Sequence, residues 1–157
     1  MTPPLDGTIL PGVTRASVLS LLSHHPHTAA LPNLPQTLTL HTSERALTMP
    51  ELFAASASGT LREVFCVGTA AVVIPAARIG WQRSSSSSSS SSDSSSPTDG
   101  DAEAAEAKAV QDIVLPVVGG EDSVAHALWE RLVDIQEGRV EWDGWGVPCA
   151  VAGADDP

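Results

Sequence analysis

LREVFCVGTAAVVIPAARI, residues 61–79, contains two apolar, β-branched runs, 61–67 and 71–79, separated by Gly68-Thr69-Ala70. Runs of that length around a glycine turn predict a strand, a tight turn and a second strand. Residues 112–118 predict a further buried strand. Helices are expected around these strands. One begins near Val13-Thr14 and carries Val18, Leu21 and Leu22. A second runs from about 49 to 58, because Thr48-Met49-Pro50-Glu51 matches a capping box with proline in the first turn and Gly59 stands at the expected stop. A third starts after Glu121-Asp122-Ser123, with Val124, Leu128, Leu132 and Ile135 on one face and Gly138 as its stop. Strands mixed with helices in this way predict an α/β or α+β fold.

Outward from this centre, Asp6-Gly7 reads as a turn, residues 8–10 as a short extended piece and residues 38–47 as extended chain. Residues 140–147 carry Trp142 and Trp145 around an Asp143-Gly144 turn, closing a core edge. From Ser84 to Ser96 the chain is serine broken only by Asp93, and an Ala/Glu run follows. Such a tract has no apolar surface to bury and is expected to be disordered. The expected organisation is one domain in two parts, 1–83 and 112–149, with an insertion at 84–111 and a frayed tail at 150–157. Neither part carries enough alternating apolar pattern to stand as a domain of its own. The opening Met1-Thr2-Pro3-Pro4 leads straight into motif, which suggests a piece of something larger.

The 157 residues are 42% hydrophobic, 17% charged and 4% aromatic, and 19 Asp and Glu against 8 Lys and Arg give a net charge of −11. That balance offers no electrostatic basis for binding a phosphate backbone, so nucleic acid is not an expected partner. No apolar run approaches the roughly 20 residues of a bilayer span, and no targeting segment is visible. Cys66 and Cys149 are far apart and lack the paired spacing of a zinc site or a redox CxxC. His24, His25 and His27 sit in a proline-broken loop with no carboxylate or cysteine at ligand spacing, and they read as solvated. No metal site is expected. His126 reads as a surface or boundary side chain.

Two segments offer anion chemistry. Thr8-Ile9-Leu10-Pro11-Gly12-Val13-Thr14-Arg15 delivers a helix N-terminus, whose open N–H groups and dipole favour a phosphate. Gly68-Thr69-Ala70 lets backbone approach closely and adds a hydroxyl. Either segment alone is better explained as a turn and a cap.

Taken together, TPPLDGTILPGVTR (2–15), ERALTMPELFAA (44–55), LREVFCVGTAAVV (61–73) and ALWERLVDIQEGRVEWDGW (127–145) occur in an order that closely resembles the C-terminal part of branched-chain amino-acid aminotransferases. These are pyridoxal-phosphate enzymes of fold type IV, and the resemblance implies their larger domain. It also implies that the main chain at Gly12, Val13 and Thr14, together with Gly68 and Thr69, holds the phosphate of pyridoxal 5'-phosphate. Ala70 would offer its N–H to the substrate carboxylate. The implied reaction moves an amino group between leucine, isoleucine or valine and 2-oxoglutarate, in a homodimer that is cytoplasmic or mitochondrial.

The departures from the family are specific. Transamination needs a lysine amine that bonds the cofactor and carries protons, and an acid opposite the pyridine nitrogen. The only lysine here is Lys108, in the Ala/Glu run, and there is no tyrosine. Glu51 reads as a capping residue and Glu44 as a strand-edge charge, so neither takes the acid's place. Ala71 and Ile74 stand where some relatives carry a CxxC, so that redox switch is not implied. The chain alone is therefore expected to be inactive. The alternatives are a non-catalytic remnant or association module, and a stand-alone binder of a small phosphorylated ligand.

Overall fold

The structure is a computed structural model that describes residues 1–27, 31–82, 110–142 and 144–146. The serine tract, Lys108, Cys149 and the 150–157 tail lie outside the described residues. The architecture is α+β, with three helices and two small antiparallel sheets among the described residues. It comprises two bodies, residues 1–77 with 115–157 and residues 78–114.

In the first body, α1 (Val13–His24) follows an extended Gly12 and buries Val18 and Leu21. α2 (Met49–Ala57) begins at the expected capping box. The Glu51 Oε2 atom accepts from Thr48 N at 2.9 Å, and Thr48 Oγ1 accepts from Glu51 N at 3.4 Å. The Thr48 backbone bond, then the Thr48 hydroxyl and the Arg45 guanidinium, hold the Glu51 carboxyl below its ordinary range. A lowered carboxylate pKa contributes stability above the unfolded value and loses it as pH falls through the folded one. Amide exchange in the first turn of α2 is therefore expected to accelerate below about pH 4, while exchange in the middle of the third helix stays slow. Equal acceleration in both helices would show that the box does not act locally.

β1 (Phe65–Gly68) and β2 (Val72–Pro75) form an antiparallel hairpin in which Val67 pairs with Val73 and Gly68 with Val72. The expected strand–turn–strand is present but shorter. Strand structure starts at Phe65, and the run 71–79 divides in two. Pro75 lacks an N–H and ends the first ladder, Ala76 N donates back to Val64 O at 2.8 Å, and the chain then changes partners. The second body holds β3 (Arg78–Gln82) and β4 (Val110–Val114), antiparallel, with Arg78 and Asp112 paired at 3.0 Å. The strand expected over 112–118 thus starts earlier and stops at Val114. Leu115 N still donates to Ala77 O at 3.0 Å, and Pro116 has no N–H to offer.

Residues 6–9 form a bend, and no strand forms over 8–10. The Asp6 carboxylate draws in Thr8 N and Thr8 Oγ1, at 3.0 and 2.6 Å. Residues 38–47 carry no helix or turn, and only Glu44 among them gains a ladder partner, in a parallel bridge to Thr2.

α3 (Val124–Gln136) starts at Ser123, whose hydroxyl accepts from His126 N at 3.1 Å. It buries Ala125, Ala127, Leu128, Leu132 and Ile135. These join Val18, Leu21, Leu31, Leu34 and Val73 in one core, with Phe65, Val67 and Trp142 packed at its margin. α1 lies against β1, and α3 against β2. Trp142 packs at the core edge as expected, but Trp145 is exposed and stays outside it, although its N donates to Trp142 O at 2.8 Å.

His25 departs from expectation. It is 2% exposed rather than solvated, and neither ring nitrogen has a partner among the described residues. The reason is helical phase. Val18, Leu21 and His25 follow one another at spacings of three and four, so the buried stripe of α1 runs one residue past its end. The neighbouring prolines hid that continuity.

Candidate functional site

The anion-binding segments occupy the ends of two elements in contact. Gly12, at φ −71° and ψ 140°, is the N-cap of α1, and no side chain caps this helix. Its first turn carries no acidic residue, and a Cβ built on Gly12 would meet nothing within 4 Å. Val13 is 82% exposed and Thr14 is half-buried. Oriented N–H groups at an open helix start form a site for an anion, supplemented by the helix dipole. The other two helices differ. α2 is closed by its capping box. At α3, Glu63 fills the equivalent place, its carboxylate accepting from Val124 N and Ala125 N at 2.9 and 3.1 Å.

Gly68 ends β1, and Thr69 and Ala70 form the exposed turn to β2. Gly68 itself has no left-handed φ; that conformation falls on Val72, at φ +58°. For a β-branched residue this is a strained conformation, of the kind that clusters at ligand-holding turns. Among the described residues no hydrogen bond or ion pair joins Gly12, Val13 or Thr14 to Thr69 or Ala70. What connects the two segments is the packing of α1 on β1.

A groove of about 880 Å³ runs along the other side of the α1 start. It is lined by Pro11, Gly12, Val13, Ala16, Ser17 and Ser20, by Leu132, Ile135 and Gln136 of α3, and by Trp145 and Gly146. It shares Gly12 and Val13 with the candidate site, and omits Thr14 and the hairpin turn. Leu10 and Val13, on either side of Pro11 and Gly12 in the chain, are both exposed.

Two contributors escaped the sequence reading. Arg15 and Glu63 each act across a long separation, 29 residues to Glu44 and 61 to Val124. Glu63 leaves no local signal. For Arg15 the only local signal is a cation one residue beyond Thr14. Glu44, expected as a strand-edge charge, is also the acceptor for Arg15, and Glu51 is the capping residue it was expected to be. Cys66 is an exposed free thiol. His126 is at a boundary, stacked on Trp129 with ring centroids 6.0 Å apart. Among the described residues no cluster of three or more His, Cys, Asp or Glu could hold a metal ion, and no helix is long and apolar enough to cross a membrane.

The chain is 33% identical over 152 residues to the mitochondrial branched-chain-amino-acid aminotransferase of Saccharomyces cerevisiae, covering 96% of this chain and 30% of that protein. It is 32% identical over 149 residues to the cytosolic branched-chain-amino-acid aminotransferase of Ovis aries, covering 95% and 28%. With the cytosolic Saccharomyces cerevisiae enzyme of the same name it shares 44% identity over 82 residues, 52% of this chain and 19% of that one. The chain thus spans less than a third of the length of these relatives. No family model matches it. No solved structure matches it either.

Proposed function

From the premise that this chain is a sequence relative of the branched-chain-amino-acid aminotransferases over nearly all of its length, we propose that it forms part of a pyridoxal 5'-phosphate-dependent transaminase. The substrates would be leucine, isoleucine or valine with 2-oxoglutarate. The single observation that carries this reading is the match across 96% of the chain. The fold would be the larger domain of the fold-type IV enzymes, divided as 1–83 and 112–149 around the 84–111 insertion, and the complete enzyme would be a homodimer.

The described residues fit one end of the cofactor. The uncapped start of α1, free of acidic neighbours, suits a phosphate, and the exposed Thr69 hydroxyl adds a donor. When bound, the cofactor supplies the electron sink through which the amino group moves. The protein's part is positional. Val13 N and Thr14 N bind the phosphate at the helix start, Gly12 leaves room for it, and Gly68 allows the close approach that brings Thr69 to the same group. Ala70 N binds the substrate carboxylate. The amine that bonds the cofactor is not among the described residues, none of which is a lysine. Among the described residues, therefore, the proposed phosphate cradle stands without a nucleophile.

Purified chain is expected to gain thermal stability saturably with pyridoxal 5'-phosphate, by about 2.7 kcal/mol at a hundredfold excess over Kd. Thr69→Val should remove most of that gain without altering the unliganded melting temperature. No stabilisation would overturn the cradle. The same preparation should form no glutamate from leucine and 2-oxoglutarate, and leucine-dependent glutamate would show that the nucleophile is present after all.

A further inference from the structure

The open start of α1 is held in place by a side chain from its own first turn. The Arg15 Nη2 atom donates to Pro3 O at 2.8 Å and to Glu44 Oε2 at 2.6 Å. The Arg15 side chain is 12% exposed, and its Nε atom is buried without an acceptor among the described residues. Both acceptors belong to one backbone tie. Thr2 bridges Glu44, with Thr2 N donating to Ser43 O at 2.9 Å and Arg45 N to Thr2 O at 3.0 Å. Arg45 Nη1 then donates to Glu51 Oε1 at 2.8 Å, inside the capping box of α2. One chain of polar contacts therefore runs from the α1 first turn through residues 44 and 45 to the start of α2.

We propose that Arg15 and Glu44 are positioning residues for the phosphate site, fixing the direction of the Val13 and Thr14 amides without touching the ligand. This rests on the cofactor reading above. Three considerations lead to it. A surface ion pair alone stabilises a fold by about 0–1 kcal/mol, too little to account for burying a guanidinium with an unsatisfied Nε. Both bonds leave one nitrogen, Nη2, whose two N–H directions are fixed in the guanidinium plane, as those of a freely rotating lysine ammonium are not. An anion site built on main-chain N–H groups loses affinity steeply when those groups are misaimed, because every donor moves together. No cap side chain holds these amides, and a Cβ at Gly12 would meet nothing within 4 Å, so the local chain adds no contact of its own there.

The test is a titration of the full chain with inorganic phosphate and with pyridoxal 5'-phosphate, read at the Val13 and Thr14 amide resonances. Wild type should show saturable shifts at both. Glu44→Gln should lower affinity for both ligands by about tenfold with the urea midpoint nearly unchanged, and Arg15→Lys should behave like it. Double substitution should add little further loss, because both changes cut one link. If Glu44→Gln does not fold, Glu44→Asp keeps the charge one carbon shorter and should show an intermediate loss. Affinity in the folded variants equal to wild type would overturn the positioning role alone. Absence of any wild-type shift would overturn the cradle and this inference together.

Discussion

Leu128→Ala is expected to lower the unfolding free energy by about 3 to 5 kcal/mol. Leu128 is fully buried, on the face of α3 that also carries Ala125 and Leu132, and within the cluster that includes Leu21 and Val73. Ala125, one turn away, is too small to move into the space left behind, so the cavity persists and adds to the lost transfer energy. Domains of this size are stable by about 5 to 15 kcal/mol, so this one truncation removes a large share. Urea unfolding followed by tryptophan fluorescence measures it. A shift under about 1 kcal/mol would mean that α3 is not packed as described.

Glu63→Ala should cost about 2 to 3 kcal/mol, more than an ordinary half-buried side chain. Glu63 serves two N–H groups at once, Val124 N and Ala125 N, and its negative charge lies at the positive end of α3. Truncation leaves both donors without an acceptor in a partly buried place. Glu63→Gln keeps one acceptor oxygen and gives up the charge, so it should recover roughly half of the loss. Equal melting of Glu63→Ala and wild type would show that water replaces the carboxylate without penalty.

What was legible in the sequence is what is decided locally. The capping box at Thr48 and Glu51, the start of α1 after Gly12 and the Ser123 cap of α3 each depend on residues within one turn, and all three stand where expected. The run 71–79 misled because composition reports strand propensity, not pairing partner. Its two halves belong to different ladders, and the break falls at Pro75. His25 misled for the opposite reason, since a run of prolines and histidines signals exposed loop while the helical phase carries the imidazole inward. The two candidate segments were legible as a helix start after Gly12 and a glycine turn at Gly68. Arg15 to Glu44 and Glu63 to Val124 were not, because nothing in local spacing encodes a meeting across tens of residues.

Gly119 and Gly68 look alike in the sequence and record different histories. At Gly119 the backbone is left-handed, φ +62°, and an added Cβ would stand 2.9 Å from Pro75 Cγ, so any lineage that folds this way retains glycine there. At Gly68 the backbone is ordinary and an added Cβ would meet nothing, since Val72 carries the strain of that hairpin. Folding alone leaves position 68 free to drift. As sequences diverge, a loss of glycine at 119 would mark decay of the fold, whereas a loss at 68 would leave it standing.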